Sequence, residues 1–215
     1  PCRLLCGPGS ARANCAGLES SLPAASAHDC FALSSPFALS PQPHPPYVIE
    51  PFDPARHDRA GFSCGVAAAD NFFKKTANKL AEAGNVRLFV MVSAEQALIG
   101  FYAINAHAVD YRDLPKRFAR ARPGHGSIPA AFIAMIGRDQ RYSGAGFGAD
   151  LLVDALRRIA KAADSLGISV VLLDVLDCGD PQRTARRQAL YESYGFQPLP
   201  SNPTRLFLPP TPFAS

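Results

Sequence analysis

The chain has 215 residues, 47% of them hydrophobic, enough to bury one good core and too few for two large domains. Its formal net charge of +4 is mild and does not by itself select a partner. No apolar run approaches the roughly 18 to 20 residues of a membrane-spanning helix, which argues against that class and leads to the expectation of a soluble, cytoplasmic protein with no membrane partner.

Residues 1–46 hold eight prolines, four of the six cysteines and only four charged residues. Such a segment buries too little to offset its ordering entropy, so a disordered leader is expected there. Its apolar stretches are too short for a signal peptide. Cys2, Cys6, Cys15 and Cys30 match no zinc-ligand spacing, and Cys64 and Cys178 stand alone, so reduced thiols and no metal site are expected. The catalytic domain is placed at 47–208, followed by a tail over 209–215.

Within that domain Tyr47 to Phe52 alternates as a first strand, closed by Pro51 and Pro54. Val66 to Ala83 follows with apolar residues at helical spacing, using Phe72 or Phe73, and Gly84 as its stop. Val86 to Ser93 and Ala97 to Val109 predict a hairpin across Ala94-Glu-Gln96. Asp110 to Ser127 carries Pro115, Pro123, Gly124 and Gly126 and reads as loop with one helical turn. Ile128 to Gly137 is apolar almost throughout, which predicts a central strand buried on both faces. Phe147 to Leu166 is an amphipathic helix stopped by Gly167. Ile168 to Leu176 predicts a strand, Pro181 to Tyr194 a helix ended by Gly195, and Phe196 to Leu199 and Thr204 to Leu208 two short strands. This order predicts an α/β fold, a mixed central sheet with helices on both faces.

Between the central strand and the long helix lies Arg141-Tyr-Ser-Gly-Ala-Gly-Phe-Gly148. Gly144, Gly146 and Gly148 let the backbone approach a bulky anion and adopt positive φ, and the helix behind them aims free N–H groups at it. A plain glycine turn without ligand stays open as the alternative. A dinucleotide fingerprint fits less well, because it belongs near the start of a strand-helix-strand unit with an acidic residue about 20 positions on.

The spacing Arg141-x-x-Gly144-x-Gly146 resembles the acyl-CoA pyrophosphate loop of the GCN5-related N-acetyltransferases (GNAT), and the element order resembles their fold, in which two central strands splay. The resemblance implies acetyl-CoA as donor, with Arg141, Tyr142, Ser143, Gly144, Ala145, Gly146, Phe147 and Gly148 around its pyrophosphate. It also implies pantetheine pairing along Phe132 to Gly137, with Met135 and Ile136 nearest the thioester. The run Ala189-Leu-Tyr-Glu-Ser-Tyr-Gly-Phe196 resembles the family's late helix, whose first tyrosine faces the CoA sulfur; here that residue is Tyr191. A phenol titrating near 10 can protonate a thiolate of similar basicity. The alternative for Tyr191 is a core tyrosine with its hydroxyl at an edge; Tyr194 and Phe196 are read as packing residues. His57, His107 and His125 are isolated and receive no catalytic role. An aminoacyl-ester amine titrates low enough to be partly neutral at pH 7, so a strong base is not required.

Phe62-Ser-Cys-Gly-Val-Ala-Ala-Ala-Asp-Asn-Phe-Phe73, the Leu190-Tyr191 pair and the terminal Arg205-Leu-Phe-Leu208 are similar to GNAT toxins of toxin-antitoxin pairs. The match departs at Ala134-Met-Ile-Gly-Arg-Asp139, which lacks the usual Gly-Arg-Leu-Ala-Val-Asp. What that family implies is acetylation of the α-amine of aminoacyl-tRNA, a homodimer and a ribbon-helix-helix antitoxin. Lys74, Lys75, Lys79, Arg87, Lys116, Arg117 and Arg120 would then meet acceptor-stem phosphates, although basic clusters of this kind are commonly solvated faces. Arg183, Arg186 and Arg187 open the late helix as a further basic group. Two other readings stay open: a small amine or protein N-terminus as acceptor, and a CoA-binding module without turnover.

Overall fold

The computed structural model describes residues 45–116 and 126–209. Seven strands, β1 Tyr47–Pro51, β2 Arg87–Ser93, β3 Leu98–Asp110, β4 Ser127–Arg138, β5 Val170–Asp174, β6 Gln197–Pro198 and β7 Arg205–Leu208, form one sheet in the order β1-β2-β3-β4-β5-β7-β6. All neighbours are antiparallel except β4 and β5. A parallel pair needs a crossover, and helix α3, Phe147–Ala163, supplies it.

The helix expected over Val66 to Ala83 is interrupted. It runs as α1 Ala67–Asn71, a π-helical segment Phe72–Thr76, and α2 Ala77–Glu82. The reason lies in the two adjacent phenylalanines. On a regular helix neighbouring side chains diverge, yet Phe73 stacks on Phe101 at 4.1 Å and Phe72 stacks on the same ring at 6.4 Å. The wider turn lets both rings lie against the sheet. It also frees the Phe73 carbonyl, which accepts from Arg59 Nη1 at 2.9 Å. Gly84, at φ +75°, ends the helix, with Asn85 N–H donating back to the Leu80 carbonyl at 2.8 Å.

Helices cover both faces. Phe73 and Ala77 pack with Val90, Val92 and Phe101 on one side. Phe147, Leu151, Leu152, Ala155 and Ile159 of α3 pack with Met91, Tyr102, Ile133 and Leu173 on the other, where Tyr191 of α4, Pro181–Ser193, joins them. Several expected elements are shorter, among them the strand expected over Phe196 to Leu199, which is Gln197–Pro198. Helix α3 stops at Ala163 rather than Leu166, whose side chain is exposed and has nothing to hold a further turn. Strand β5 spans Val170–Asp174 rather than Ile168 to Leu176, with Val175 N–H still bonding the Thr204 carbonyl at 2.8 Å in register with β7. No helix among the described residues is long and apolar enough to cross a membrane.

Candidate active site

Strand β4 pairs with β3 along its whole length, from Ser127 to Arg138, but with β5 only from Ala130 to Ile133. Ala103 faces Met135 while Ile104 faces Ile133, so Ala134 is an extra residue on β4. Such a bulge bends its strand and sharpens the twist, and it falls immediately after the last residue that β5 holds. The two strands part there. Complete burial expected over Ile128 to Gly137 holds for Ile128, Ala130, Ala131, Ile133 and Gly137 and fails for the exposed Pro129 and the half-buried Phe132, Ala134, Met135 and Ile136. The cleft that opens is lined by Ala134, Met135 and Ile136 on one side, Asp174 and Leu176 on the other, and Arg187 and Tyr191 from α4.

At the end of β4 the chain makes a single 3-10 turn, Gln140–Tyr142, and then reaches Gly144 at φ +86° and Gly146 at φ +82°. Gly146 is the N-cap of α3 and contributes no side chain, so no capping side chain covers the first N–H groups of the helix, of which Ala149 N–H bonds the Gly146 carbonyl at 2.8 Å. Phe147 is buried and anchors the helix, with Tyr142 packed edge-on against it at 6.0 Å. Gly148 lies within the helix with an ordinary helical φ, and a Cβ there would meet open space. Its smallness leaves the approach to the helix end uncovered. Ala145 is half-buried beside the same core.

Arg141 is turned toward the protein. Its Nε and Nη2 donate to the two oxygens of Asp139, both at 3.0 Å, and its backbone N–H adds a third bond at 2.9 Å. Ser63 N–H supplies a fourth at 3.1 Å. Burial alone would raise the Asp139 carboxyl, but the Arg141 side chain and these N–H donors outweigh it and hold the group below the usual carboxylate range. Arg138 Nη1 ties the Asp139 carbonyl and Ser143 Oγ, at 2.9 and 3.0 Å, and Ser143 Oγ donates to the Gln140 carbonyl at 2.7 Å. The glycine turn is thus braced before any ligand arrives.

Part of the brace comes from the Phe62-Ser-Cys-Gly segment. Gln140 N–H donates to the Ser63 carbonyl at 2.9 Å, and a Cβ on Gly65 would sit 2.3 Å from Gln140 Nε2. Asp70 fixes the segment in turn, accepting from Ser63 Oγ at 2.9 Å and Cys64 N–H at 2.7 Å. Ser63, Asp70 and Asp139 escape a reading by motif spacing, although the Asp139-x-Arg141 pair is visible in the sequence. Burial, followed by the Asp70 contact, pushes the Cys64 thiol up to about 11, which leaves it protonated at neutral pH.

Tyr191 is buried at the cleft, and burial pushes its phenol up to about 12, with the Arg187 charge pulling the other way. His57 is structural: its Nδ1 accepts from Asp53 N–H at 2.9 Å, so Nε2 carries the proton given to Glu50 at 2.8 Å. His107 lies on the exposed part of β3, beside Phe132. The basic residues are less gathered than their sequence grouping implies. Lys74 and Lys75 lie on the π segment, Lys79 on α2 and Arg87 at the start of β2. Lys116 follows the far end of β3, and the eleven steps from Ser127 to Arg138 put that end roughly 35 Å from the glycine turn. Arg117 and Arg120 lie outside the described residues, as do His125, the leader cysteines and the tail beyond Pro209.

No family model matches the chain. The probable toxin TacT of Sinorhizobium fredii is 66% identical over 163 residues, which span 75% of this chain and 90% of that protein. The chain belongs to the TacT family of GNAT toxins. A second relative, the tRNA-acetylating toxin of Mycobacterium tuberculosis, is 31% identical over 151 residues, covering 70% of this chain and 85% of its own. Among solved structures, AtaT complexed with acetyl-methionyl-tRNAfMet superposes at a TM-score of 0.67 with 24% identity, over 76% of this chain and 95% of that one. An AtaT variant bound to the C-terminus of the antitoxin AtaR and acetyl-CoA gives a TM-score of 0.61 with 21% identity, over 76% and 92%. At these identities the structural likeness speaks for the fold alone.

Proposed function

We propose that this chain is an acetyl-CoA-dependent N-acetyltransferase that acetylates the α-amine of aminoacyl-tRNA and so removes the nucleophile of peptide-bond formation. The observation that carries the reading is the splay beside the Ala134 bulge, where a narrow crevice holds the buried Tyr191 and from which β4 runs on into the braced glycine turn. The tRNA-acetylating relative supports the acceptor class.

In this reading the N–H groups at the start of α3, behind Gly144 and Gly146, take the donor's diphosphate, with Tyr142, Ser143 and Ala145 shaping the turn. Arg141 orders that turn through Asp139 and presents its outer edge to the anion. The unpaired edge of β4 around Met135 and Ile136 aligns the pantetheine arm as an added strand, and a backbone N–H there stabilises the tetrahedral oxyanion. The neutral α-amine attacks the thioester carbon; as the C–S bond breaks, Tyr191 gives its proton to the departing thiolate. A phenol near 12 is fully protonated at pH 7 and is ready for that step. The phenolate regains a proton from the ammonium formed on the acceptor.

Lys74, Lys75, Lys79, Arg87, Lys116, Arg117 and Arg120 would serve the acceptor through salt-sensitive phosphate contacts. A ribbon-helix-helix antitoxin, a second copy of the chain and a cytoplasmic setting complete the proposal, with 47–208 as the catalytic domain. The test is incubation with labelled acetyl-CoA and total charged tRNA, then base hydrolysis of the product. Label recovered as N-acetyl amino acid is the expected result. Label on free amines or protein N-termini, with none on tRNA, would reject the acceptor.

A further inference from the structure

Three guanidinium groups gather near the cleft and none of them has a carboxylate partner among the ion pairs of the described residues. Arg187 lines the cleft one helical turn before Tyr191. Arg183 stands one turn further on, its Nη2 3.3 Å from where a Cβ on Gly65 would be. Arg138 closes β4, using Nη1 on the Asp139 carbonyl and Ser143 Oγ and keeping its other donors free of those bonds. Burial first, and then repulsion from Arg183 and Arg187, lower the Arg138 pKa despite the attraction of Asp139. Three like charges held together are costly to the free protein, since the nearby Asp139 carboxylate is already engaged by Arg141, and a phosphate relieves that cost.

We propose that Arg138, Arg183 and Arg187 form a phosphate site that takes the last phosphodiester of the acceptor, next to the aminoacylated end. The inference rests on the aminoacyl-tRNA reading and adds the group by which the acceptor end is seated. Reach supports it. Along α4, Arg187 and Arg183 stand about 6 and 12 Å from Tyr191. The nearest phosphorus of an aminoacylated 3′ end is separated from the reacting amine by an ester and one ribose, a span of that order.

The experiment uses the full chain, wild type and R183Q/R187Q, with charged tRNA whose terminal linkage is either natural or an uncharged methylphosphonate. Steady-state acetylation at saturating acetyl-CoA is read beside calorimetric titration with acetyl-CoA and the melting temperature. The expected result is a rise in KM for natural charged tRNA of about ten- to thirtyfold in the variant, with acetyl-CoA affinity and melting temperature held. Wild type should lose a similar factor on the methylphosphonate tRNA, and the variant should be indifferent to it. R183K/R187K should recover most of the loss, which a role in packing alone would not produce. An unchanged KM, a wild type blind to the methylphosphonate, or a loss of acetyl-CoA affinity instead would overturn the assignment, the last pointing to a donor phosphate. A wild type that acetylates no charged tRNA ends the underlying reading before any variant is made.

Discussion

The two halves of β4 are alike in composition and unlike in surroundings. From Ser127 to Ile133 the strand ends in a stretch held on both edges, by β3 and by β5; from Ala134 to Arg138 it keeps β3 and loses β5. Hydropathy reports whether side chains leave water, and it is blind to whether the backbone edge beside them is paired. One inserted residue makes the difference. The bulge at Ala134 turns a sheet interior into a sheet interior with one open edge, and that edge adjoins a tyrosine, a glycine turn and an arginine cluster.

The largest expected effect tests whether the open half contains chemistry or only space. Tyr191→Phe keeps the buried ring and removes the proton, so turnover should fall by roughly 10²- to 10⁴-fold while acetyl-CoA affinity stays within error. Single-turnover kinetics with calorimetry decide it, and unchanged turnover would remove Tyr191 from the mechanism. Next comes the anion end of the cleft. Gly146→Asp puts a carboxylate and a Cβ at φ +82° in front of α3, so acetyl-CoA binding should weaken by about a hundredfold. Normal binding would mean that the glycine turn holds no phosphate.

A smaller effect separates the brace from the site it supports. The Asp139 carboxyl is held low in the fold, so its contribution to stability is present above the unfolded carboxylate pKa and is lost as pH falls through the folded value. Asp139→Asn should cost about 2 kcal/mol at pH 7 and flatten the acid side of the stability profile, since wild type loses on acidification what the variant has already lost. Melting curves from neutral to acidic pH check this; parallel profiles would show that the carboxylate is not the group that braces the turn.

Much of this was legible before any coordinates. The helices and strands announced themselves by period and the Arg141 to Gly148 turn by its glycines, while Tyr191 stood out only through the resemblance of the run around it to the family's late helix. What escaped notice depends on contacts distant in sequence or on backbone register. The π segment follows from both Phe72 and Phe73 stacking on Phe101, a contact made across the fold. Asp139 and Ser63 are 76 positions apart and meet only because β4 ends beside the loop that opens α1. Arg183 and Arg187 read as the solvated start of a helix until Arg138 and Gly65 are found next to them. The bulge itself has no residue signature, since Ala134 is one small apolar residue among several.

That last point sets the finest test of the comparison between the halves. Deleting Ala134 removes the unmatched residue, so that Met135 and Ile133 become consecutive opposite Ala103 and Ile104, and the alternation of β4 runs unbroken. The β3 pairs on either side are kept, which predicts a folded protein with a melting temperature at or above that of wild type. The open edge, no longer bent away, should draw closer to β5 and offer one or two fewer backbone groups to a pantetheine arm. At about 1 kcal/mol for each hydrogen bond, acetyl-CoA affinity should drop roughly tenfold, with turnover falling alongside it as the thioester moves out of line with Tyr191. A deletion variant that binds and turns over as before would show that the splay does not depend on the bulge, and that the end of β4–β5 pairing at Ile133 and Leu173 is sufficient to hold the strands apart.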